Sequence, residues 1–78
     1  MEYRHFKYFL KVAEEKSFSL AAKKLYISQP SLSQFILKLE EKIGLPLFDR
    51  SCTPLQLTYI GELYLETARK VLDLNDQF

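Results

Sequence analysis

The chain has 78 residues, 47% of them apolar, with five tyrosines and six phenylalanines, a composition that makes one globular domain at most and excludes a disordered chain. No apolar run approaches the roughly 18 residues of a membrane span, and no charged leader precedes an apolar core, so a soluble domain with no membrane contact is expected. The single cysteine, Cys52, excludes an internal disulfide and fits a reducing cytoplasm, while a net charge of +1 excludes nothing until the charges are placed.

From Tyr3 to Ala13, apolar residues recur as Tyr3, Phe6, Phe9/Leu10 and Ala13, the spacing of one helical face. Ser17 stands where an N-cap would stand, and Phe18, Ala21, Ala22 and Leu25 follow at the spacing of a second helix of about two turns. Only Tyr26 and Ile27 separate it from Ser28, a second N-cap, with Pro30 tolerated in the first turn of a third helix. Two helices joined by so short a turn must cross steeply. On the third helix Leu32, Ile36, Leu39 and Ile43 define the inward face, and Gly44 ends it. The opposite face carries Pro30, Ser33, Gln34, Leu37 and Glu41, with Phe35 on the flank, half-buried; Leu37 is an apolar residue on a face expected to be wet.

Leu45 to Arg50 and Leu55 to Thr58 read as two extended segments joined by the turn residues Ser51 to Pro54, a small hairpin. Thr58 caps a terminal helix with no Gly or Pro from Glu62 onward, about 30 Å long at 1.5 Å per residue. Two apolar stripes run along it: Leu65, Ala68 and Leu72 to cover the domain, and Ile60, Tyr64, Thr67, Val71, Leu74 and Phe78 to meet a partner.

Charge is unevenly placed. Between Lys16 and Leu39 lie Lys16, Lys23, Lys24 and Lys38 and no acidic residue, which suits either a solvated face or a polyanion site. Catalysis and cofactor binding find no support, and neither is expected. His5 has no Cys or second His at ligand spacing, Cys52 has no base nearby in sequence, and Gly44 and Gly61 build no phosphate loop. Glu14/Glu15 and Glu40/Glu41 read as solvated helix ends.

A short helix, a tight turn, a longer helix opening with Ser-Gln-Pro-Ser and then a hairpin describe a winged helix-turn-helix. Such a module lays the N-terminal half of its second helix in the DNA major groove. Residues there must donate and accept hydrogen bonds and carry no negative charge, as Gln29, Ser31, Ser33 and Gln34 do. The alternative is a winged-helix module that binds protein, and salt separates the two, because only phosphate contacts release counterions.

The stretch SFSLAAKKLYISQPSLSQFILKLEEKIGLPLFDR followed by LQLTYIGE closely resembles the N-terminal DNA-binding domain of LysR-type bacterial transcriptional regulators. The pattern comprises Ala21-Ala22, Ser28-Gln29-Pro30, Leu32-Ser33, Leu39-Glu40, Gly44, Pro46-Leu47-Phe48, Arg50 and Leu57-Thr58 with Gly61, and the likeness runs from about Phe6 to Ala68. It implies a mainly α winged helix-turn-helix over residues 1–58 with a hairpin wing near the minor groove. Residues 59–78 would be a linker helix that dimerises, and an effector-binding domain is absent from this chain. It further implies double-stranded operator DNA of dyad symmetry as partner, a homodimer that becomes a tetramer at full length, and a small-molecule inducer sensed only by the missing domain.

The candidate DNA contacts are Ser19, Ser28, Gln29, Pro30, Ser31, Ser33, Gln34, Leu37, Lys38, Arg50 and Thr53. Thr53-Pro54 stands where the family commonly has a basic residue and glycine at the wing tip, whereas Arg50 at the wing base is suited to a phosphate. Phe35 and Leu37 replace polar or basic residues, so the apolar face adjoins the DNA; Leu37 meets a thymine methyl or sugar edge, or is a tolerated exposed side chain.

Overall fold

Among the described residues, four helices and one hairpin form because each turn of the chain carries its own stop and start. The computed structural model describes residues 3–76, with side chains as far as residue 73, in the order α1 (Tyr3–Glu15), α2 (Phe18–Leu25), α3 (Gln29–Ile43), β1 (Phe48–Asp49), β2 (Gln56–Leu57) and α4 (Tyr59–Asp76). Ser17 caps α2 by accepting the Leu20 N–H at 3.1 Å, and Ser28 caps α3 by accepting the Ser31 N–H at 3.2 Å. Gly44 closes α3 in the left-handed region at φ 87°, its N–H bonded to the Glu40 carbonyl. Tyr26 ends α2 in the same region at φ 60°, an uncommon conformation for a residue with a Cβ, and its side chain is 95% exposed.

Phe6, Phe9 and Val12 of α1, Ala21 and Ala22 of α2, and Leu32, Ile36 and Leu39 of α3 are buried together with Leu47, Phe48 and Ala68. The two alanines let α2 lie close to its neighbours, which is how eight residues can join a core built of larger side chains. Phe9 is the hub: its ring lies 5.2 Å from Phe48 and 4.8 Å from Tyr64, the latter edge-on.

The hairpin is shorter than expected. β1 and β2 are two residues each, antiparallel, with Phe48 opposite Leu57 and Asp49 opposite Gln56. Before Phe48 only one main-chain bond continues the pairing, because the other polar groups there are taken elsewhere. Pro46 has no N–H, and its carbonyl accepts the Thr58 hydroxyl at 2.7 Å; the Leu47 N–H goes to Glu40 at 2.6 Å, and the Leu47 carbonyl to the Thr58 N–H at 3.0 Å. Asp49 then folds the turn by accepting from the Ser51 N–H and hydroxyl, bonds that hold its carboxyl below the usual range, the hydroxyl bond most strongly.

The terminal helix corrects the expected division of stripes. Leu65, Ala68 and Leu72 pack on the body, and so do Ile60, Tyr64 and Val71, assigned to a partner. Tyr64 stacks on Phe6 at 5.5 Å and meets Phe9 edge-on, so both stripes belong to one broad arc centred on Ala68. Large aromatic side chains on α1 reach across more of α4 than spacing alone suggests. Of the stripe assigned to a partner, Thr67 is exposed, and Leu63 beside it is 45% exposed. Phe78 and the side chain of Leu74 lie outside the described residues.

Candidate nucleic-acid interface

The start of α3 is built to meet a negative, hydrogen-bonding surface. Its first turn holds no acidic residue, and its free N–H groups give that end a partial positive charge. Ser28 Oγ accepts the Ser31 N–H and donates its own proton to Ser31 Oγ at 2.8 Å, so the Ser31 hydroxyl proton is available to an outside acceptor. Gln29, Pro30, Ser31, Gln34, Leu37 and Lys38 are exposed, and Ser33 is half-buried. Pro30, Ser31, Gln34, Phe35 and Lys38 line a shallow open groove along the helix.

The two apolar residues of this helix part company. Phe35 turns to α1, with its ring 4.8 Å from Tyr8 and 5.2 Å from His5, so its apolar character belongs to the α1/α3 contact. Leu37 stays 41% exposed on the other flank, in a concavity with Leu45, Pro46 and Arg50. Ser19 is exposed in the first turn of α2, and Thr53 is exposed in the wing turn, where the Thr53–Pro54 bond is cis.

The cations are distributed unequally. Lys24 pairs with Glu15 at 2.9 Å, whereas Lys38 lies one turn beyond Gln34 on the groove itself. Arg50, assigned to a phosphate, is already engaged: its Nη2 lies 3.0 Å from Glu40 Oε1, its Nη1 donates to Oε2 at 3.3 Å, and its guanidinium sits 5.2 Å from the Phe18 ring centroid.

Glu40 is therefore not a solvated helix end. It is 8% exposed and accepts from Leu47 N–H, Phe48 N–H and Arg50 together. Its signal in the sequence was its place beside Leu39, on the edge of the inward face, with an arginine ten residues on. Among the described residues, no group of three His, Cys, Asp or Glu side chains could hold a metal ion, and no helix is long and apolar enough to cross a membrane.

Comparison with known proteins places this geometry. Residues 3–62 match the pattern of the bacterial regulatory helix-turn-helix proteins of the lysR family. The HTH-type transcriptional regulator BudR of Klebsiella aerogenes is 51% identical over 76 residues, which cover 97% of this chain and 53% of that protein. The regulator BenM of Acinetobacter baylyi is 46% identical over 77 residues, 25% of its length. The chain thus spans about half of one relative and a quarter of the other. In three dimensions it is similar to the BenM DBD in complex with benA site 1 DNA, with TM-score 0.95, 45% identity and coverage of 99% of this chain and 86% of that one. A CbnR DBD–DNA complex is similar at TM-score 0.90 and 40% identity, covering 99% of this chain and 88% of its own.

Proposed function

The chain belongs to the lysR family of bacterial regulatory helix-turn-helix proteins, and from that premise we propose that it binds double-stranded operator DNA sequence-specifically, as the DNA-binding domain of a transcriptional regulator. The observation that carries this reading is the acid-free, N-capped opening of α3, with Gln29, Ser31, Gln34 and Lys38 exposed on it. The glutamines offer paired hydrogen bonds to adenine in the major groove, the serines bond bases or phosphates, and Lys38 neutralises a phosphate. Thr53 brings the wing turn beside the minor groove, and Ser19 supports α2 against the backbone. The role is binding, without catalysis or cofactor. That relatives of this fold are held on DNA favours this reading over a protein-interaction module.

Residues 1–58 form the binding part and residues 59–78 the linker, whose helix is α4. Two copies pair about a twofold axis along α4 and present two α3 helices to two half-sites. The exposed line through Leu63 and Thr67 supports this pairing, with Ile60, Tyr64 and Val71 at its border. In the whole protein, which we place in the cytoplasm, the dimers assemble into tetramers and a separate effector domain takes the inducer.

Selection of bound sequences from a random duplex library tests the reading. Enrichment of a dyad-symmetric site is expected, with affinity falling steeply as salt rises. Failure of any sequence to enrich, or binding indifferent to salt, overturns it.

A further inference from the structure

Glu40 lies on the flank of α3 that faces the returning chain, and it gathers more partners than any other carboxylate described. Oε2 accepts the Leu47 N–H at 2.6 Å and the Phe48 N–H at 3.3 Å, the two main-chain groups that lead into β1. The same oxygen takes Arg50 Nη1 at 3.3 Å while Oε1 meets Nη2 at 3.0 Å, so the guanidinium is held at both oxygens. Phe18 of α2 supplies the platform beneath the guanidinium. Three elements thus converge on one carboxylate: the recognition helix that bears it, the strand it anchors and the helix that backs its counter-ion.

Only a charged acceptor serves all these donors. A glutamine offers one oxygen to two N–H groups and an arginine, and turns an NH2 toward the guanidinium. Beyond Arg50 the chain runs directly into the turn that Asp49 folds onto Ser51, and Thr53 follows. The position of the wing tip relative to Gln34 therefore depends on the Glu40 carboxylate.

We propose that Glu40 is the positioning residue that sets the wing on the recognition helix, and that Arg50 is its internal counter-ion rather than a phosphate contact. This rests on the DNA-binding reading above and adds a division of labour: α3 and the wing reach DNA as one rigid piece, and the charge of Arg50 is neutralised before any phosphate arrives.

The test is a salt series on a duplex selected from a random library by the wild-type chain. Each phosphate neutralised by a side chain contributes about 0.9 to the slope of log affinity against log salt. Arg50→Gln is expected to keep the wild-type slope while affinity falls about tenfold, and Glu40→Gln to bind about tenfold more weakly although it removes a negative charge. A slope reduced by about 0.9 for each bound copy in Arg50→Gln, or a Glu40→Gln chain that binds as tightly as wild type or tighter, overturns the assignment. Should circular dichroism show Arg50→Gln unfolded, Arg50→Lys replaces it. A phosphate-binding lysine keeps both slope and affinity, which overturns the proposal, whereas a lysine that cannot span both Glu40 oxygens loses affinity about tenfold, which supports it. A wild-type chain that enriches no duplex at all fails the DNA-binding reading itself, before any variant is made, and this inference with it.

Discussion

Gly61 on α4 faces the main-chain carbonyl of Leu47 so closely that a β-carbon there would overlap that oxygen and stand 3.0 Å from Leu57 Cδ2. The contact continues through Thr58, whose hydroxyl donates to the Pro46 carbonyl at 2.7 Å and accepts the Gly61 N–H at 3.0 Å. Glycine is required for approach, so that α4 can leave the wing at backbone distance. Gly61→Ala must move α4 or the Leu47 segment, and a cost of about 1–3 kcal/mol is expected, at the level of an overpacked core. Urea unfolding measures it; a midpoint equal to wild type would show that the helix and wing are not in contact.

Burial pushes the Tyr64 phenol up from 10.0 to about 12, because its ionised form would lie among the aromatic rings of α1. With the folded value above the unfolded one, the stability it contributes is intact below pH 10. That stability is lost as pH rises from about 10 toward 12, where the unfolded chain releases the proton that the folded chain keeps. Tyr64→Phe is expected to decline less steeply with pH than wild type across this window. Parallel declines in the two proteins' urea midpoints would contradict the placement of Tyr64 inside the aromatic cluster.

Since α4 turns much of Ile60, Tyr64 and Val71 toward its own body, the proposed pairing between copies is expected to centre on the line through Leu63 and Thr67. Leu63→Asp together with Thr67→Asp is expected to yield a folded monomer, with operator binding weakened because the two half-site contacts are no longer linked. Sedimentation equilibrium with circular dichroism reads both properties. A double variant that stays dimeric would place the interface elsewhere.

Local structure was legible in the sequence because its causes are local. The caps at Ser17 and Ser28, the stop at Gly44 and the inward triplet Leu32, Ile36 and Leu39 are all settled within one or two turns of helix. The acid-free opening of α3 was legible for the same reason. What was hidden depended on where distant segments return. Glu40 looks solvated until the chain folds back at Leu47 and Arg50, and the first strand looks longer until Glu40 takes the Leu47 N–H. That Phe35 is half-buried and Leu37 exposed was legible, but not that Tyr8 and His5 of α1 are what cover Phe35. Tyr64 looks free for a partner until Phe6 and Phe9 are set beside it.

The central claim, that α3 reads bases from its first two turns, is tested most directly by measuring wild type and Gln34→Ala on the selected duplex and on its single-base variants. Gln34 is exposed one turn from Ser31 and Pro30, on the groove they line together. A loss of about 1–3 kcal/mol on the selected duplex is expected, with discrimination at one base pair of each half-site removed and at the others unchanged. Equal affinity and an unaltered preference in Gln34→Ala would contradict the claim that this face of α3 lies in the major groove.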